Sequence, residues 1–301
     1  MKKFTVSRLQ GQEVVNAYFQ SQSLFWKNIY TSGGVYAEIH RNRLATAIDW
    51  IDSLALAPNS KVLDIGCGAG LMSLALAQRG FRVHAIDSVE AMVEQARRHA
   101  MESGIAKLLT VNIGDVYALA SEDEAFDLVV ALGVIPWLER PELAIQEMAR
   151  VTRPGGYVIL TADNRARLTN LLDPWLNPML TPLKRQVKNA LVQMGLHRQS
   201  VEDTGATCHS RCFIDEALTR VALVKTKSIT LGFGPFSLFR HTIVPEPFGT
   251  ALHYRLQQLA DRNALGFRST GAHYIVLAQK PLSRPCVQST HAEHPVSGAT
   301  V

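Results

Sequence analysis

Residues 62–70 read Val-Leu-Asp-Ile-Gly-Cys-Gly-Ala-Gly: a short apolar run, an acid, and three glycines spaced two apart. Val62, Leu63 and Ile65 have the pattern of a buried strand, and Gly66, Gly68 and Gly70 permit a sharp turn that lays bare backbone against a ligand. Such a loop can cradle a nucleotide-like molecule. The dinucleotide fingerprint requires glycine at its first, third and sixth positions, and counting from Gly66 the sixth residue is Leu71, which weakens an NAD reading. A second acid, Asp87, stands 23 residues beyond Asp64, directly behind the strand pattern Arg82 to Ile86. A carboxylate there can accept hydrogen bonds from both hydroxyls of a ribose. Gly114-Asp115-Val116 follows a third strand pattern, where a carboxylate and an adjacent backbone N–H can meet an adenine edge.

The elements that would position these groups alternate. Residues 12–55 have helical spacing, with Leu44, Ile48, Ile51 and Leu54 on one face and an aromatic stretch of Phe19, Phe25, Trp26, Tyr30 and Tyr36 before them. After the glycine loop come a helix from Leu71 to Gln78, a strand from Arg82 to Ile86, and a helical stripe of Val89, Met92, Val93, Ala96 and Ala100. Strands at Leu108–Val111, Phe126–Leu132 and Tyr157–Thr161 follow, with a helix near Glu142–Val151 and a turn at Arg153-Pro154-Gly155-Gly156. Such alternation implies a parallel sheet with crossover helices. Beyond Asp163 the rhythm stops, because Pro174, Pro178 and Pro182 exclude a continuous helix. Residues Leu183–Met194 have the spacing of a basic amphipathic helix, Ile214–Leu223 of a helix, and Lys225–Leu231 and His273–Ala278 of strands. Between those strands lies an amphipathic segment around Leu252, Leu256 and Leu259. Residues 282–301 are rich in Ser, Thr, Pro and His, the composition of a disordered tail.

In order and spacing, Val62 to Gly70, Asp87, Asp115-Val116, Phe126 to Leu132 and Arg153 to Gly156 resemble the successive motifs of class I S-adenosylmethionine-dependent methyltransferases. The resemblance covers about residues 56–164 and is nearest to the small-molecule subgroup that includes ubiquinone, tetrapyrrole and natural-product enzymes. It implies a Rossmann-like α/β fold, with a seven-stranded, mostly parallel sheet, helices on both faces and an antiparallel last strand. It further implies an N-terminal helical arm at 1–55, a methyltransferase domain at 56–281, and cap insertions at about 165–206 and 232–268 that cover the substrate. The cofactor implied is S-adenosyl-L-methionine. Asp64, Gly66, Cys67, Gly68 and Gly70 would lie at its methionine end, Asp87 at its ribose and Asp115 at its adenine amino group. Ser88, Met92, Val116, Leu132 and Tyr36 complete the expected contacts.

A sulfonium methyl is already activated, so the protein need mainly align an acceptor in line with the S–CH₃ bond at roughly 3 Å and exclude water. A phenol or enol oxygen gains from a base, for which the candidates are His40, His209 and His241, with Tyr30 and Tyr36 as pocket-shaping groups. Gly133 to Trp137, the aromatic arm and the Leu/Trp/Pro-rich insertion point to an apolar small-molecule acceptor. The alternatives are a non-catalytic cofactor-binding or regulatory protein on the same scaffold and a peripheral-membrane lipid or quinone methyltransferase.

Composition narrows the field. In 301 residues, 31 Lys plus Arg against 26 Asp plus Glu leave a net charge of +5, too small an excess to argue for nucleic acid. Val134-Ile135-Pro136-Trp137 lacks the polar first residue of adenine-amino methylation, and the only Pro-Cys, at Pro285-Cys286, lies in the tail rather than after the fourth strand. Four cysteines form no disulfide framework, and Cys208-His209-x-x-Cys212 has no second ligand pair, so no metal is expected. With no apolar run of about 18 residues, membrane contact would be peripheral, through the helix at 183–194, and the expected location is cytoplasmic.

Overall fold

The structure is a computed structural model and describes residues 2–174, 176–180, 186, 206–239 and 241–282. The amphipathic helix expected at 183–194, except Gln186, and the tail from residue 283 onward lie outside the described residues.

Strands β1 (Lys61–Ile65), β2 (Arg82–Asp87), β3 (Leu109–Ile113), β4 (Phe126–Ala131) and β5 (Thr152–Asn164) are parallel and alternate with helices α4 (Leu71–Gln78), α5 (Glu90–Glu102) and α6 (Pro141–Val151). The order across the sheet is β3-β2-β1-β4-β5-β10-β7, where β7 is Val224–Leu231 and β10 is His273–Gln279. β10 runs antiparallel to both neighbours. The seven expected strands therefore stand in the described residues, and the two-residue strand β6 (Cys208–His209) adds an eighth beside β5. A separate hairpin pairs β8 (Ser237–Leu238) with β9 (His241–Thr242). No helix among the described residues is long and apolar enough to cross a membrane.

Because side chains alternate along a strand, each strand feeds two cores. Leu63, Ile65, Val129 and Leu160 face α6 and helix α8 (Arg211–Arg220) through Ile145, Met148, Ile214 and Leu218. Val62, Leu128, Val130 and Ile159 face the other layer, where α4 and α5 contribute Leu76 and Val93, and helix α3 (Val35–Ser53) contributes Ala47 and Ile51. Helix α8 is capped at its start, with the Ser210 hydroxyl accepting from the Phe213 N–H at 3.1 Å.

The N-terminal arm is three helices rather than a continuous one: α1 (Lys2–Ser21), α2 (Ser23–Asn28) and α3. The break before α3 falls at Gly33-Gly34, where Gly34 has φ +95°. The stripe of α3 also differs from the expected one: His40, Arg43, Ala47 and Ile51 are buried, whereas Leu44, Ile48 and Leu54 are only partly so. Two polar residues thus head a buried helical face. Strand β5 is longer than expected, running through the turn at Arg153–Gly156 and on to Asn164, so Asp163 lies at a strand end rather than in a loop. In the first insertion, helix α7 (Leu168–Leu172) is short and a single 3₁₀ turn spans Pro178–Leu180, as the prolines require. In the second, helix α9 (Glu246–Asp261) packs against α3.

Candidate active site

The carboxyl ends of β1 to β5 and the start of antiparallel β10 share one edge of the sheet, and a cavity of about 610 Å³ opens there beneath α1 and α3. Ligands of open α/β sheets bind at this edge, where strand order reverses between β1 and β4.

At the floor, the glycine loop leaves β1 with positive φ at Gly66 (+64°), Gly68 (+53°) and Gly70 (+87°). A Cβ on Gly66 would come within 2.4 Å of Val134, and one on Gly70 within 2.9 Å of Ala96, so these two glycines are fixed by packing. A Cβ on Gly68 would meet nothing within 4 Å, so it is the glycine that offers open backbone. Gly70, expected as a contact, is not among the residues lining the cavity; it stands at the N-cap of α4, packed against α5. Asp64, Gly66, Cys67, Gly68, Asp87, Ser88, Met92, Asp115, Val116, Leu132 and Tyr36 do line it.

Asp87 closes β2, not the loop after it, and accepts from the Gly68 N–H and the Val89 N–H, both at 2.9 Å. Burial pushes its carboxyl above the ordinary range, although these backbone bonds favour the anion. Asp64 is fully buried, takes a hydrogen bond from the Ser73 hydroxyl at 2.5 Å, and is pushed up to about 7 by burial, with Asp87 adding to the effect. Burial also drives the Cys67 thiol well above its usual value, so it is a packed neutral group and not a nucleophile. Asp115 accepts from the Tyr117 N–H at 2.9 Å, a local turn just after β3.

The arm forms the roof. Asn16 of α1 accepts from the Ser88 hydroxyl at 2.9 Å, next to Asp87. Tyr18 stacks on Trp137 at 5.4 Å and Phe19 meets the same ring edge-on at 4.9 Å, tying α1 to the turn after β4. Four buried polar atoms in this roof have no hydrogen-bond partner among the described residues: Trp26 Nε1, both ring nitrogens of His40, and Arg43 Nε. Buried polar groups are normally satisfied, so such a cluster around one cavity marks a place for a polar ligand. Burial, reinforced by Arg43 and His273, holds the His40 pKa well below its ordinary value, which makes that imidazole neutral. Burial pushes Tyr36 up to about 12, so its phenol is protonated.

Of the histidines proposed from sequence as a base, His40 lines the cavity, as does the candidate Tyr30, while His209 and His241 do not. His209 stacks on Phe213 at 5.1 Å, and His241 is exposed on the β8–β9 hairpin. Sequence reasoning missed a better pair. His273 starts β10 directly opposite Asp163 at the end of β5, and its Nδ1 bonds to Asp163 Oδ1 at 3.0 Å. Both line the cavity. Burial works to raise the Asp163 pKa, but the hydrogen bond to His273, with Arg167 and Arg43 nearby, holds it below the ordinary range. An ionised acid on Nδ1 fixes the tautomer whose Nε2 lone pair is basic. The signal was the antiparallel direction of the last strand, which brings its first residue to the edge where the parallel strands end.

Among the described residues no group of three His, Cys, Asp or Glu is placed to hold a metal ion. The residues present do fit a methyl donor: open backbone at Gly68, paired-hydroxyl acceptor chemistry at Asp87, and acids at Asp64 and Asp115 for cationic and amino groups.

Residues 63–160 match the model of a methyltransferase domain. The chain is 40% identical over 121 residues to a ubiquinone biosynthesis O-methyltransferase of Pseudomonas aeruginosa (strain UCBPP-PA14), covering 39% of this chain and 50% of that protein. The matched part therefore spans about half the length of that relative. Among solved structures, the fold is similar to magnesium protoporphyrin IX methyltransferase from Synechocystis PCC 6803 with bound S-adenosylhomocysteine, at TM-score 0.60, 19% identity, and 90% and 99% coverage of the two chains. It is also similar to geranyl diphosphate C-methyltransferase from Streptomyces coelicolor A3(2), at TM-score 0.51, 17% identity and 82% coverage of each chain. With the glycine loop, the two strand-end acids and the domain match in one place, residues 63–160 carry a methyltransferase domain that resembles the class I S-adenosylmethionine-dependent family.

Proposed function

We propose that the protein transfers the methyl group of S-adenosylmethionine to an oxygen of an apolar, aromatic small molecule. The observation that carries this reading is the continuity of a single cavity, from the donor cradle at Gly68 and Asp87 to an aromatic, arm-covered chamber holding His273 and Asp163. When bound, the donor supplies an activated methyl on sulfur and leaves as a neutral thioether. The chain does the rest: Asp87 and Asp115 anchor the nucleoside, the arm excludes water, and Tyr18, Phe19, Trp26 and Trp137 offer flat apolar surface to the acceptor. As the acceptor O–C bond forms and the S–C bond breaks, His273 Nε2 takes the acceptor hydroxyl proton and Asp163 stabilises the imidazolium.

The names of the relatives support a small-molecule acceptor, and the ubiquinone-biosynthesis relative supports oxygen over carbon. Residues 1–55 and the segments about 165–206 and 232–268 serve as the cap in this reading. The test is transfer of labelled methyl from S-adenosylmethionine to a panel of phenols and to a fractionated extract of the source cell. Label in an alkali-stable, apolar product at an ether oxygen supports the proposal. Label at carbon or nitrogen, or none with donor bound, refutes it, the last outcome favouring a non-catalytic binding protein.

A further inference from the structure

We propose that His99 is a positioning residue for donor binding, acting through the glycine loop, an inference that rests on the methyl-donor reading of the cavity. Gly66, Gly68 and Gly70 all stand in the left-handed region, and backbone this permissive loses more freedom than any other when a ligand fixes it. A loop ordered before the ligand arrives binds it more tightly. Here the peptide groups are held in turn. The Cys67 N–H donates to the Ile86 carbonyl at 3.0 Å, the Gly68 N–H to Asp87 at 2.9 Å, and the Gly70 N–H back to the Cys67 carbonyl at 2.9 Å. The Ala69 carbonyl accepts from a side chain 30 positions away on α5: His99 Nδ1, at 2.8 Å.

A carbonyl oxygen only accepts, so Nδ1 carries the proton in the neutral imidazole and in the imidazolium alike. The same helix face also packs on the loop. Ala96, three residues before His99, is what a Cβ on Gly70 would strike, so α5 touches Gly70 through Ala96 and Ala69 through His99. Gly68, where an added Cβ meets nothing within 4 Å, stays open to the ligand between these held neighbours. Ala69 lines the cavity and His99 is not among the lining residues, so a donor feels His99 through the loop backbone.

The full-length chain, His99→Leu and His99→Asn are titrated calorimetrically with S-adenosylhomocysteine, and amide hydrogen exchange is followed in the ligand-free proteins. Leucine fills comparable space without a donor, whereas the asparagine amide can return an N–H to the place of Nδ1. His99→Leu should weaken S-adenosylhomocysteine about 3- to 10-fold, the range for one neutral hydrogen bond, and speed exchange in residues 66–71 with α5 and the sheet unchanged. His99→Asn should restore most of both. Unchanged affinity in His99→Leu, failure of His99→Asn to recover it, or faster exchange spread through α5 and the sheet overturns the assignment, the last showing a role in stability alone. If the wild-type chain gives no response to S-adenosylhomocysteine, the methyl-donor reading itself falls.

Discussion

Replacing Asp64 by asparagine should make the ligand-free protein more stable than wild type at pH 8 while leaving the two alike near pH 4. Asp64 is 2% exposed, takes hydrogen bonds from the hydroxyl and backbone N–H of Ser73, and feels the charge of Asp87; burial outweighs those bonds, so its carboxyl titrates at about 7 in the fold against 3.8 in the unfolded chain. Because the folded pKa is the higher one, the contribution is fully present below the unfolded pKa and is lost as pH rises through the folded one. Each unit between costs about 1.4 kcal/mol, or about 4 kcal/mol over the whole window. The asparagine amide keeps an acceptor for Ser73 and cannot ionise. Urea unfolding at pH 4, 5, 6, 7 and 8 measures the difference between the two proteins, in which other titrating groups cancel. The gap should open steadily between pH 4 and 7 and then level off; parallel stability curves would show that Asp64 ionises freely and that its burial has been misjudged. A sulfonium ligand beside Asp64 should favour its anion, so binding of S-adenosylmethionine should release protons and tighten through pH 7. Heats measured in buffers of different ionisation enthalpy report that release, and the Asp64→Asn substitution should abolish its largest part.

Asp87→Ala removes the carboxylate that holds both loop N–H groups and ribose, and should weaken S-adenosylhomocysteine by about 1.5 to 3 kcal/mol, roughly 10- to 150-fold, in calorimetry; equal affinity would remove Asp87 from the site. With a phenolic acceptor in hand, His273→Gln should lower kcat by about 10²- to 10⁴-fold with donor affinity unchanged. Asp163→Asn should lower it less and shift the pH–rate profile, whereas a flat profile in both variants would assign proton removal elsewhere. Trp137→Ala deletes the two aromatic contacts that dock α1, worth about 0.5 to 1.5 kcal/mol each, and should raise hydrogen exchange in residues 11–28 while leaving the sheet unchanged. Exchange that stays slow in the arm would show that α1 is held by other contacts.

Donor recognition is legible in the sequence because it is local: the glycine loop, Asp87 and Asp115 each follow a strand whose apolar run announces it. Asp163, His273 and Arg43 escape because nothing nearby in sequence marks them. Asp163 and His273 are 110 positions apart and meet only through the antiparallel register of β5 and β10. Arg43 is hidden by a stripe one position off: the spacing of Leu44, Ile48 and Ile51 looks helical and apolar, yet the sheet-facing side is His40, Arg43, Ala47 and Ile51. Reading α3 on that face exposes a cation in a buried row. The arm reads as helical throughout because its first break is the single residue Gln22, and only Gly33-Gly34 marks where the last of its three helices begins.

The central claim is that the cavity at the carboxyl edge of the sheet is a methyl-donor site. Calorimetric titration of the full-length chain with S-adenosylhomocysteine and, separately, with NADH tests it most directly. The account predicts one saturable S-adenosylhomocysteine site per chain, weakened in Asp87→Ala, and no heat from NADH; saturable NADH binding with no response to S-adenosylhomocysteine would contradict it.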